Sequence, residues 1–78
     1  MTTLFQAADV ILDQMRPYDM VTVAQFHRLT ADARDVDPRA GRAATRTVLN
    51  VLVNEGLLDL SRDGSGQPAV VRTGKLAP

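Results

Sequence analysis

Apolar side chains recur at helical spacing in three segments of the chain, with short extended runs between and after them. In the first segment Leu4, Ala8, Ile11, Leu12 and Met15 form a stripe with Phe5 at its edge, which predicts a helix over about 4–16. Thr3 and Gln6 have the spacing of a capping box at its start, and Pro17 ends it. Val10 lies off the stripe, beside Asp9 and Asp13. Pro17-Tyr18-Asp19 then reads as a turn and Met20-Val21-Thr22 as a short strand. In the second segment Val23, Phe26, Leu29, Thr30 and Ala33 share one side of a helix over about 23–34, and Thr22 with Gln25 repeats the capping-box spacing.

The third segment has the clearest boundary signals. Asp37 is a residue type that caps free N–H groups, Pro38 suits a first helical position, and Gly56 suits a left-handed stop. Together they predict a helix over 38–55, roughly five turns at ~3.6 residues each. Ala40, Ala44, Val48, Val51 and Leu52 fall on one side, with Leu49 at the edge. Arg39, Arg42, Arg46 and Asn50 fall opposite, flanked by Ala43 and Thr47, and no acid interrupts that face before Glu55. An apolar back with a front of arginines and small residues suits a helix that packs on a core and offers its front to an anion. A plain solvated face is the competing reading. Beyond Gly56, Leu57-Leu58-Asp59-Leu60 reads as a strand, Asp63-Gly64-Ser65-Gly66 as a hairpin turn, and 67–73 as the returning strand.

Helix, glycine, then hairpin is the order of a winged helix-turn-helix. The run from Val48 through Asn54-Glu55-Gly56 to Leu57-Leu58 resembles the end of the recognition helix and the start of the wing in bacterial regulators of the GntR-like, MarR-like and PadR-like groups. As an order of elements the resemblance covers nearly the whole chain. It implies a mainly α fold, a three-helix core with a two- or three-stranded antiparallel wing sheet, as one domain over 1–78 (helices about 4–16, 23–34 and 38–55; wing about 57–73). It also implies that the second helix supports the recognition helix from behind.

Seventy-eight residues allow one small domain. With no cysteine, disulfides, thiolate metal sites and thiol catalysis are excluded. No apolar run approaches the ~18 residues of a membrane span, and no signal peptide is visible; a cytoplasmic protein is expected. The formal net charge is zero, but it is unevenly spread. Residues 1–37 hold three arginines against six aspartates, and residues 38–78 hold five arginines and Lys75 against three acids. The half with the third helix and wing is basic, so the molecule can meet DNA in one orientation with little general affinity for polyanions.

Catalytic and metal chemistry find little support. His27, the one histidine, has no second histidine or cysteine to share a metal, and partial burial or a phosphate contact fits it better. Asp32, Asp35 and Asp37 lack the glycine-shaped loop and ligand number of a hard-cation site. No enzyme activity, no metal and no cofactor are expected.

The leading expectation is a sequence-specific transcriptional regulator that inserts the helix 38–55 into the major groove of double-stranded DNA. Arg39, Arg42, Ala43, Arg46, Thr47 and Asn50 are its candidate contacts. Arg62 and Arg72 on the wing would meet backbone or minor groove, and Lys75 in the tail would add a backbone contact. A monomer in free solution that can pair on DNA, with the first helix as the candidate contact, is expected. With no room for an effector domain, that economy resembles small phage or plasmid repressors, excision factors and stand-alone bacterial regulators. The rival expectation is a protein-interaction module whose arginine face binds an acidic protein surface. The zero net charge and acidic front half fit that use.

Overall fold

Local caps set the first helix. In the computed structural model, which describes residues 2–75, α1 (Leu4–Gln14) opens on Thr3, and both bonds of the capping box with Gln6 form. A strand, β1 (Met20–Thr22), leads directly into α2 (Val23–Arg34), with Thr22 as cap accepting the Gln25 N–H. Only that half of the second expected capping box is present; the main chain of Thr22 belongs to β1. Then come α3 (Arg42–Asn54), β2 (Leu58–Arg62) and β3 (Pro68–Arg72). The result is a small α+β domain of three helices and a three-stranded antiparallel sheet ordered β1-β3-β2. β3 is central, pairing Val70 with Val21 on one side and with Leu60 on the other.

Apolar residues of all the helices and of β2 and β3 meet in one core: Ala8, Ile11, Leu12, Met15, Phe26, Val48, Leu49, Leu52, Leu57, Leu58 and Val70. The stop after α3 forms as expected. Gly56 has a φ of +79°, Leu57 N–H donates to Leu52 O, and Gly56 N–H donates to Val53 O. That is a Schellman motif, and its apolar contact is between buried Leu52 and Leu57. α2 ends the same way, with Val36 N–H donating to Ala31 O, but the left-handed position there is held by Asp35.

The start of α3 differs from expectation. Asp37 and Pro38 do not open the helix; Gly41 does, at a φ of +78° and without a side-chain cap. Three contacts hold 37–41 as a separate turn. The Asp37 carboxylate accepts the Arg39 N–H and its guanidinium. Ala40 N–H closes a turn on Asp37 O. The carbonyl of Pro38, which would receive Arg42 N–H in a helix begun at 38, accepts from His27 Nε2 instead.

The buried faces of two helices are also rotated. α3 buries Thr45, Val48, Leu49 and Leu52 and leaves Ala44 and Ala40 exposed. α2 buries Phe26, His27, Thr30 and Ala31, while Leu29 and Ala33 reach the surface. Both rotations bring His27 and Thr45 inside, where they satisfy each other, His27 Nδ1 to Thr45 Oγ1 at 2.6 Å. Pro38 O can only accept, so Nε2 carries the hydrogen of that bond, and Thr45 Oγ1, which also lies 3.4 Å from Gly41 O, is the partner of Nδ1.

Candidate nucleic-acid interface

The N-terminal half of α3, the N-terminus of α2 and the start of β3 converge on one cleft. Its cavity measures about 330 Å³, and it is lined by Thr22, Val23, Ala24, His27, Arg28 and Pro38, by Arg42, Thr45 and Arg46 of α3, and by Gln67 and Pro68. No carboxylate lines it, although the chain carries nine acids. Cleft and exposed α3 face are continuous: Ala43, Thr47 and Asn50 stand in the open beside Arg42 and Arg46. Among the described residues neither Arg42 nor Arg46 has an ion-pair or side-chain hydrogen-bond partner. Thr47 donates its hydroxyl back to Ala43 O at 3.1 Å, which leaves its methyl group for outside contacts.

The rotation of α3 changes the order of the face. With Thr45 and Leu49 inside, its outermost line runs through Ala43, Thr47 and Asn50. Arg42 and Arg46 flank that line on the side of α2. The arginines expected in front therefore form a flank, and Ala43, Thr47 and Asn50 lead.

The remaining expected contacts are placed differently. Arg39 lies outside α3, in the preceding turn, in an ion pair of 2.9 Å with Asp37. Their hydrogen bond lowers the Asp37 carboxyl pKa and raises that of the Arg39 guanidinium. Arg62 is exposed on the hairpin, its guanidinium bonded to Gly66 O. The hairpin loop itself is organised by Asp63. Its Oδ1 accepts from Ser65 N–H, Ser65 Oγ and Gln67 N–H, and these bonds, Gln67 foremost, hold its carboxyl below the ordinary aspartate range. Among the described residues Asp63 forms no direct ion pair with Arg62.

Two expected contacts are corrected outright. Arg72 is not a surface group: it is buried on the inner side of β3, donating to Leu12 O near the end of α1, with Nε unpartnered. Lys75 sits at the far end of α3, donating from Nζ to Glu55 O at 2.7 Å, about 20 Å from Arg42 by the helical rise. Residues 76–78 of the expected tail lie outside the described residues.

One charged lining residue escaped the sequence reading. Arg28 follows Ala24 by one turn and so shares the cleft-facing side of α2; a capped helix start with an arginine four residues beyond a small one was the available signal. Among the described residues no group of three His, Cys, Asp or Glu is disposed to hold a metal, and no helix is long and apolar enough to cross a membrane. No protein-family model, curated protein or solved structure matches the chain.

Proposed function

We propose that the chain is a winged-helix protein that binds double-stranded DNA sequence-specifically and acts as a transcriptional regulator. In this reading α3 enters the major groove and the β2–β3 hairpin is the wing. The element order α1-β1-α2-α3-β2-β3 and the three-stranded sheet are compatible with that fold. The observation that carries the function is the pair Arg42 and Arg46, unpaired at the edge of an acid-free cleft and next to an exposed line of small residues.

The major groove, about 12 Å wide, admits a helix, and small side chains at Ala43 and Thr47 permit close approach. The free amide of Asn50 suits an adenine edge, and the Thr47 methyl suits a thymine methyl. Arg42 and Arg46 reach toward the strand that borders α2. Arg62 meets the backbone or minor groove from the wing. Arg39, in an ion pair with Asp37, Arg72, buried against Leu12 O, and Lys75, about 20 Å from Arg42 at the far end of α3, drop out of the leading contact set. Arg62, bonded among the described residues only to Gly66 O of its own loop, stays exposed on the hairpin.

Selection from a randomised duplex pool at moderate salt tests the proposal. Enrichment of a short motif containing adenine and thymine steps is expected, with binding that weakens as salt rises. Retention of no duplex at any salt would refute it. Capture by an immobilised acidic peptide that depends on Arg42 and Arg46, without DNA binding, would establish the protein-interaction reading instead.

A further inference from the structure

We propose that the cleft is a phosphate-binding site whose charged groups are Arg28, Arg42 and Arg46. The inference stands on the cavity itself and goes beyond the DNA reading, which makes no use of Arg28. Arg28 comes from α2 and the other two from α3, so folding, not a run of sequence, assembles the cluster. Gathering three cations around one space is unfavourable unless something neutralises them. Among the described residues nothing does: no acid lines the cavity, and none of the three has an ion pair or a side-chain hydrogen bond. An anion relieves that repulsion.

The donors specify the class of anion. Each guanidinium presents a planar fork of N–H groups matched to carboxylate or phosphate oxygens. Three forks exceed what the two oxygens of a carboxylate can accept and suit the three or four oxygens of a phosphate. Val23 and Ala24, at the positive end of α2, border the same space and add to its preference for negative charge. Val23, Pro38 and Pro68 supply apolar wall. The floor is fixed, because His27 and Thr45 are bonded to each other and His27 also to Pro38. With both ring nitrogens engaged, His27 is support and not a ligand. The cavity, about 330 Å³, lies at the lower end of small-ligand pockets, so it takes a phosphate group with at most a small attachment.

A phosphate can arrive on the DNA backbone or on a free small molecule, and two measurements on the described protein and its Arg28→Gln variant separate them. Amide and arginine Nε NMR signals are followed while inorganic phosphate replaces chloride at constant ionic strength. DNA affinity is measured across a salt series. Equal melting temperatures establish that the exposed substitution leaves the fold intact. If free phosphate is the ligand, Val23, Ala24 and the three arginine signals shift saturably, and R28Q weakens the binding about tenfold. If the backbone is the ligand, R28Q lowers the log–log salt slope of DNA binding by about one. Either result supports the site and names its source. No saturable shift together with an unchanged slope overturns it. A wild type that binds no DNA removes the DNA reading alone, and the phosphate titration then decides.

Discussion

The two ends of α3 differ in what becomes of their basic residues. At the C-terminal end, cations and hydroxyls are consumed by the protein: Lys75 holds Glu55 O and Thr73 holds Gly56 O, and Arg72 of the neighbouring β3 is buried against Leu12 O near the end of α1. Negative partial charge from unpaired carbonyls gathers there, and the chain supplies its own donors. At the N-terminal end the same residue type is left open. Among the described residues Arg42 and Arg46 have no internal partner, and the turn before them is fixed by the Asp37–Arg39 pair and by His27, Thr45 and the Pro38 carbonyl. A basic residue in a small basic half-chain is thus no guide to a binding surface until its backbone surroundings are known. What distinguishes Arg72 from Arg46 is a backbone carbonyl within reach, Leu12 O, which accepts from Arg72 as well as from Met15 N–H.

The largest effect is expected at the closed end. Arg72→Ala removes a charge-assisted bond and the buried stem, and should cost about 2–4 kcal/mol, lowering the melting temperature by roughly 10 °C or more in a domain of this size. Arg72→Met keeps the stem without a charge to bury and should be far milder. If both variants melt like wild type, Arg72 is not internal and the contrast collapses. At the open end Thr45→Val strips His27 Nδ1 of its buried partner while conserving volume, an expected loss of about 1–3 kcal/mol. A neutral result there would show that the His27 lock does not set the start of α3.

Smaller effects sharpen the same contrast. Lys75→Ala should cost a few tenths of a kcal/mol up to about 1 kcal/mol and leave any ligand binding of the opposite end intact. A change in DNA affinity on losing Lys75 would contradict its assignment to a cap. For the hairpin beside the open end, Asp63 is held below the ordinary aspartate range by Gln67 and Ser65. A depressed carboxyl contributes stability that is fully present above its unfolded value and is lost as pH falls through the folded one. Loop order should therefore be constant at neutral pH and decline only below about pH 4. Ser65 and Gln67 amide shifts should follow that titration in the wild type and not in Asp63→Asn. A midpoint above the ordinary aspartate value would show that those bonds do not form.

What the sequence displayed was whatever is decided within one turn of chain. Thr3 with Gln6, Gly56 with its flanking leucines, and the glycine-rich hairpin all act on neighbours, and all appear in the structure where the pattern predicts them. The start of α3 was illegible because Asp37 carries a genuine cap signature, yet Arg39 two residues on takes the carboxylate. The phases of α2 and α3 were misread by counting aliphatic residues. Their true inner faces include a histidine and a threonine 18 residues apart that pay for each other's burial, a pairing no local period reveals. The same distance hid the cleft: Arg28 meets Arg42 and Arg46 only once α2 and α3 are packed. The fate of Arg72 was hidden likewise, since its partner Leu12 lies 60 residues away.

The salt dependence of DNA binding, measured for the wild type and for Arg42→Ala/Arg46→Ala, bears most directly on the open end as a nucleic-acid surface. The two side chains have no internal partner, so melting should change by less than about 0.5 kcal/mol equivalent. The slope of log affinity against log salt should flatten by roughly two for the double variant, at ~0.9 per phosphate lost. If one of the two reads a base, its single substitution should instead cost about 1–3 kcal/mol at one position of the site and relax specificity there. A wild-type protein with no salt-sensitive DNA binding, or a double variant that binds with unchanged slope and affinity, would contradict the account.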